Sequence, residues 1–532
     1  MGRRTGRAGP GADGSDLRRG LPARGVNRPN RSSAAPHPPT VGQVSSDTVG
    51  SDHDTFDVIV IGGGPAGENA AHYAIAGSDR TAALIEHELV GGECSYWACM
   101  PSKALLRPAQ ILGAARHMPG VEEKITAYGV HVADVLARRD AFTHRRDDSS
   151  QVLWADAIGI DVLRGHARIT GRCAVSVDGD RPRTLRARHA VVLATGTVAT
   201  VPDAPGLRAA LPWTSRDATN LVEIPRRVLL VGGGVVACET ATWLRQLGVE
   251  ELTVVVRGAR LLPRVEPFAA AAVTDMFGRH GIDVRFRTEI RNVARDDARD
   301  TGIGRIHGGP ATVDLDDGST VEVDEIVVAA GRRPATEGLG LGAVGLEAGA
   351  ATSVDDHLNV TGADGTWLYA VGDVAGRAAL THMGKYQARV CGDVIAARAE
   401  GRDLDHPRYR ATADHDQVPQ VIFTEPEIAS VGHTAASARA AGLDVEVLEV
   451  DLAVAGSALA RDDFTGHAAL VVDRATDTLA GATFAGTEVA ELVHAATVAL
   501  VGKVPLDTLW HAVPAYPTVS EVWLRLLETR RP

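Results

Sequence analysis

The stretch LVGGECSYWACMPSKALLRP at residues 89–108 carries Cys94 and Cys99, two of only five cysteines in the chain. Two thiols this close can hold a metal, form a structural cross-link, or cycle between dithiol and disulfide. Structural zinc wants about four Cys or His ligands at finger-like spacing, and no second close cysteine pair or nearby His pair is present. A structural disulfide is disfavoured in the cytoplasm, the compartment that five cysteines in 532 residues suggest. Geometry adds a condition: on a regular α-helix, positions i and i+5 lie roughly 8.6 Å apart at Cα, whereas bonded cysteines need Cα atoms within about 7 Å. If the sulfurs bond, the segment around Cys94 is not regular helix. Gly91 and Gly92 allow a distorted lead-in, with helix proper from near Pro101, and such a start sets the thiols at a helix N-terminus that lowers their pKa.

The elements that could position such a pair are legible on both sides of it. DTFDVIVIGGGPAGENAAHYAIAGSDRTAALIEHE runs strand, glycines, helix, strand, with Gly62, Gly64 and Gly67 in G-x-G-x-x-G spacing and Glu86 ending the second strand. The glycines allow a tight turn and close approach to a pyrophosphate at a helix N-terminus, and an acid at this distance can take ribose hydroxyls. The pattern recurs about 170 residues later at Gly232 and Gly234, with Ala237 in the third glycine position. There the second strand ends on Arg257, with Arg260 and Arg264 behind it, which suits the 2′-phosphate of NADP(H), although NAD(H) stays possible and the arginines could simply solvate a loop. One enzyme rarely needs two copies of the same nicotinamide, so one unit is expected to hold FAD.

Composition agrees with a globular enzyme: 45% apolar and 23% charged residues, and a net charge of −12 that argues against general nucleic-acid binding. No apolar run reaches the roughly 18 residues of a membrane span. Residues 1–54, rich in Arg, Gly, Pro, Ser and Asp, read as a disordered extension or the product of a misplaced start codon. No metal site is expected.

From about residue 55 onward the chain resembles the pyridine nucleotide-disulfide oxidoreductases, on GGECSYWACMPSK, VVLATG, VGGGVVACE, AAGRRPAT, LYAVGDVAG, VIFTEPEIASVG and PTVSE in family order. The resemblance implies an α/β protein with two Rossmann-like dinucleotide-binding domains, for FAD and NAD(P), and a C-terminal α+β dimerisation domain. The expected boundaries are 55–200 and 336–409 for the FAD domain, 201–335 for the NAD(P) domain and 410–532 for the domain that pairs two copies of the chain. It further implies that Cys94 and Cys99 form a redox-active disulfide, with Cys99 the flavin-proximal thiolate and Cys94 the thiol that attacks substrate. Lys103 would sit near the flavin and pair with Glu239. Asp373 would bind the ribityl chain, Thr195 and Gly196 would abut the cofactor, and Gly331 marks the hinge back to the FAD domain. Cys173, Cys238 and Cys391 read as structural.

The C-terminus departs from the family. Pro517, Thr518, Ser520 and Glu521 match, but Tyr516 stands where the acid-base His belongs, and His511 lies five residues too early. A phenol near pKa 10 does not shuttle protons at neutral pH as an imidazole does. Mercuric reductases carry a Tyr nearby together with a C-terminal cysteine pair, and no Cys follows Cys391. The expected function is therefore an NAD(P)H oxidoreductase acting on a disulfide, quinone or other small electrophile. The alternatives are a dihydrolipoyl dehydrogenase with Tyr for His, or a flavin redox sensor without turnover. Ser95, Tyr96 and Trp97 are bulky for the family's loop and are expected to face the partner copy's Tyr516.

Overall fold

The computed structural model describes residues 54–125, 129–179 and 181–531. The expected disordered extension lies outside them, Asp54 apart. β1 (Thr55–Ile61), β2 (Ala82–Glu86), β3 (Ile160–Arg164), β4 (His166–Gly171), β5 (Ala174–Asp178) and β6 (Arg183–Leu193) form one sheet in the order β3-β2-β1-β6-β5-β4. β3, β2, β1 and β6 are parallel, and β16 (Leu368–Ala370) returns far later in the chain to pair with β6. The run FDVIVI in β1 is buried throughout, as a parallel strand covered on both faces must be.

α1 (Pro65–Ile75) connects β1 to β2 and packs on α6 (Thr381–Ala399). The approach is close because α6 offers Gly392, where a Cβ would lie 2.5 Å from Tyr73 Cβ and 2.7 Å from the Tyr73 carbonyl carbon. Between β2 and β3 the chain forms α2 (Gly92–Tyr96) and α3 (Cys99–Arg116).

The second unit repeats the parallel pattern, with β8 (Arg227–Val231), β9 (Glu251–Val256), β10 (Ile282–Phe286) and β14 (Glu325–Val328) in the order β10-β9-β8-β14. α4 (Ser215–Thr219) precedes β8, and α5 (Val235–Gln246) crosses from β8 to β9. A small antiparallel sheet of β11 (Ile290–Arg295), β12 (Ala311–Leu315) and β13 (Thr320–Val323) is attached. The chain leaves and re-enters the first unit through one antiparallel ribbon, β7 (Thr197–Ala199) beside β15 (Arg332–Pro334).

The last unit is a five-stranded antiparallel sheet, β17 (Pro419–Ile422), β18 (Glu427–Gly432), β19 (Val445–Asp451), β20 (Gly466–Asp473) and β21 (Thr478–Gly486), in the order β17-β18-β21-β20-β19. Helices Leu492–Val501 and Val522–Glu528 close a core around Phe484, Leu470 and Ala482. β19 lies at the edge of this sheet. Among the described residues no helix is long and apolar enough to cross a membrane.

Candidate functional site

The first glycine turn is a tight cradle. A Cβ on Gly62, whose φ is +105°, would lie 2.4 Å from Ala194 O, and one on Gly67 would lie 1.9 Å from Gly62 O. Gly64 caps α1 without a side-chain hydrogen bond, leaving that helix N-terminus open. Glu86 ends β2, with Oε2 accepting from Gly63 N at 2.7 Å and Oε1 from Glu88 N at 2.7 Å. Burial alone would raise its pKa, but hydrogen bonds from His87, Glu88 and Gly63 outweigh it and hold the carboxyl below its ordinary range. Thr195 and Gly196 follow β6, and Thr195 Oγ1 is buried with no hydrogen-bond partner. Asp373, after β16, accepts from Thr197 Oγ1 at 2.8 Å. An ionised strand-end carboxylate, an uncapped helix start and a buried hydroxyl awaiting a partner fit a polyol diphosphate such as FAD. Gly62, Gly64, Gly67, Glu86, Thr195, Gly196 and Asp373 are the residues that would hold it.

The second glycine turn borders a cleft. The cleft, of about 1030 Å³, is lined by Gly232, Gly234, Arg257, Arg260, Arg264 and Gly331 among others. Gly232, at φ +133°, comes so close to Ala329 that a Cβ would lie 2.3 Å from its carbonyl oxygen. Arg257 follows β9, and its side chain is 88% exposed with Glu289 3.9 Å away. Arg260 donates to Pro263 O at 2.7 Å. These cations face a cleft of the size and polarity a nicotinamide dinucleotide needs.

The two cysteines stand on either side of a break. Cys94 lies within the single turn of α2, Trp97 and Ala98 are non-helical, and α3 begins at Cys99 rather than near Pro101. The break leaves the two thiols close enough for each to shift the other's titration. The Cys99 thiol is pulled down, first by its neighbour Cys94 and, against the cost of burial, by Thr381 and the charge of Lys103. The same proximity and its own burial push the Cys94 thiol up. Lys103 Nζ lies 2.7 Å from Glu239 Oε2 on α5, and Glu239 Oε1 accepts from Phe423 N at 2.9 Å, so three units of the chain meet at one ion pair. Lys103 also lies 5.0 Å from the Phe423 ring centroid.

Other expectations fall differently. Tyr96 and Trp97 turn inward and are 0% and 4% exposed, with Tyr96 Oη donating to Val90 O at 3.0 Å. They fill the protein's own core and do not face a partner's Tyr516. Tyr516 is 76% exposed. Glu521 is buried, with Oε1 paired to Arg525 at 2.6 Å and Oε2 without a hydrogen bond. His511 is exposed. Cys238 and Cys391 are fully buried with their thiols pushed up by desolvation, and Cys173, half-buried, is also raised.

Sequence reasoning passed over Thr381, whose Oγ1 lies 3.2 Å from Cys99 Sγ. The two are 282 positions apart, and only the return of α6 to α1 brings them together. No local signal marked it.

The family model described as pyridine nucleotide-disulphide oxidoreductase matches residues 56–388, and that family's dimerisation domain matches residues 418–526. The protein belongs to this family: it is an FAD-dependent oxidoreductase that takes electrons from NAD(P)H. The dihydrolipoyl dehydrogenase of Chlorobaculum tepidum is 31% identical over 477 residues, spanning 88% of this chain and 95% of that one. The mercuric reductase of Streptomyces lividans is 30% identical over 476 residues, spanning 88% and 95%. The fold matches the HOCl-induced flavoprotein disulfide reductase RclA from Escherichia coli, with TM-score 0.73 and 24% identity over 90% of this chain and 100% of that one.

Proposed function

We propose that NADPH is the preferred donor and that Cys94 and Cys99 form a redox-active pair delivering two electrons to a disulfide, quinone or other small electrophile. The observation that carries this reading is the Lys103–Glu239 ion pair, which spans both dinucleotide units beside a Cys99 thiol that Thr381 contacts and that its surroundings pull down. FAD, when bound, supplies the two-electron relay between nicotinamide and dithiol. Around it, Lys103 would present a cation, Glu239 would orient that cation, and Cys94 would attack the acceptor while Cys99 stays a thiolate. Tyr516 and Glu521 would contribute from the C-terminus. Because Tyr516 supplies no imidazole, acceptors that do not need their leaving thiolate protonated are favoured. Exposed Val498, Val501, Trp510 and Val513 on the dimerisation unit support a homodimer. A cytoplasmic location suits a dithiol kept in use. The domain boundaries given above are retained with this reading.

An anaerobic NADPH titration tests it: the flavin should bleach and a long-wavelength thiolate absorbance should follow. A flavin that stays oxidised sinks the proposal. An acceptor panel of disulfides, quinones and mercuric ion then assigns the substrate class. The dihydrolipoyl dehydrogenase reading rests on relatives of that name at 28–31% identity. It requires appreciable dihydrolipoamide turnover with NAD, and Tyr516→His should raise it.

A further inference from the structure

The turn between the cysteines is held from outside its own helices. In a continuous helix the Trp97 carbonyl would accept from the N–H four residues on, but that residue is Pro101, which has none. The donor comes instead from α4. Thr219 Oγ1 donates to Trp97 O at 2.9 Å, shorter than its 3.0 and 3.3 Å distances to the Ser215 and Arg216 carbonyls of its own helix. Asn220, the C-cap of α4, donates through Nδ2 to Tyr96 O at 3.2 Å. Thr219 and Asn220 are both buried.

Arg216 adds a third hold. Its Nε meets Oε1 of Glu93, the residue before Cys94, at 2.5 Å, and its other nitrogens fork onto Glu88 at 3.0 and 3.1 Å. Its guanidinium also lies 4.9 Å from the Trp97 ring centroid. The opposite end of α4 reaches the nicotinamide cleft, which Ser215 lines together with Arg332. Arg332 Nη2 in turn lies 3.6 Å from Glu93 Oε2, an oxygen buried without a hydrogen bond.

We propose that α4 is a clamp on the dithiol, with Arg216, Thr219 and Asn220 as positioning residues that keep Cys94 and Cys99 in register and tie that register to the nicotinamide cleft. The proposal rests on the reading of the two cysteines as a redox pair. The clamp supplies the donors that the broken helix lacks, at the one place where the break must be kept.

The test is Thr219→Val, which keeps the shape and removes the donor, with Thr219→Ser as the conservative rescue. Two readings are taken: the pH profile of Cys99 alkylation by iodoacetamide in the reduced protein, and the dithiol–disulfide equilibrium against dithiothreitol. Cys94, Lys103 and Glu239, the titratable groups around Cys99, remain in place. Thr219→Val should move the Cys99 midpoint up by about one unit and shift the equilibrium about tenfold. Thr219→Ser should restore both. If Thr219→Val loses its FAD, Arg216→Met, at a half-exposed side chain, is read in the same way. Wild-type midpoint and equilibrium in a variant that is only less heat-stable would overturn the clamp. A wild-type protein that takes up about two rather than about four electrons per FAD in an anaerobic dithionite titration has no redox pair, and that result removes the underlying reading as well.

Discussion

The chain contains two glycine-turn units built on the same strand-turn-helix plan, and they differ where selectivity is decided. At the third glycine position Gly67 sits against Gly62 O with no room for a Cβ, whereas Ala237 carries one and is fully buried. At the end of the second strand Glu86 is buried and takes two backbone N–H groups, whereas Arg257 stands almost wholly in solvent. One turn into the helix, Glu68 in the first unit corresponds to Cys238 in the second. The first unit is thus a pre-bonded, tightly closed cradle, and the second an open cleft whose cations wait for a ligand. A resident cofactor suits the first and an exchanging one the second.

Four substitutions can break or sharpen that contrast. The largest effect belongs to Gly67→Ala: its Cβ meets backbone, so the turn must move, at a cost above about 3 kcal/mol. Protein purified from this variant should lack the flavin absorbance. Arg257→Glu acts on the open unit and should lower the NADPH-to-NADH ratio of kcat/KM by about 10- to 100-fold. An unchanged ratio would dissociate the arginines from cofactor choice.

A subtler contrast is Glu68, whose carboxyl desolvation pushes up from 4.5 to about 7, against the attraction of Lys385. The folded state therefore binds a proton that the unfolded state releases between those values, so stability falls as pH rises from 4.5 to about 7 and stays lower above it. Glu68→Gln removes the loss, roughly 2 kcal/mol, and its Tm should exceed that of the wild type at pH 8 but not at pH 4. Ala237→Gly is the smallest. With a Cβ already accommodated, deleting it should cost only about 1 kcal/mol of helix preference, read as a Tm lower by a few degrees with NADPH binding retained.

Motifs whose chemistry is local were readable from the chain. Both glycine turns, the acid of Glu86 and the arginine of Arg257 lie within one strand-helix-strand unit, so spacing alone places them. Tyr96 and Trp97 were misjudged because residue type marks bulk but not direction: the broken helix turns both into the core. Thr381, Thr219 and Asn220 left no trace because each acts on a segment more than a hundred positions away.

The sequence by itself determined the two dinucleotide units, the family, the spacing of the cysteines and the missing imidazole at Tyr516, since each is a matter of residue type and local order. Only the tertiary structure decided what those cysteines experience. A thiol pair is set by its surroundings: Lys103 paired with Glu239 across two units, a hydroxyl from α6 on Cys99, and donors from α4 on the carbonyls between them. Hydrogen bonds and Coulomb attraction act over a few ångströms of space whatever the separation along the chain. The proposed redox pair is therefore written at residues 94 and 99, and the surroundings that tune it are assembled from residues brought in by the fold.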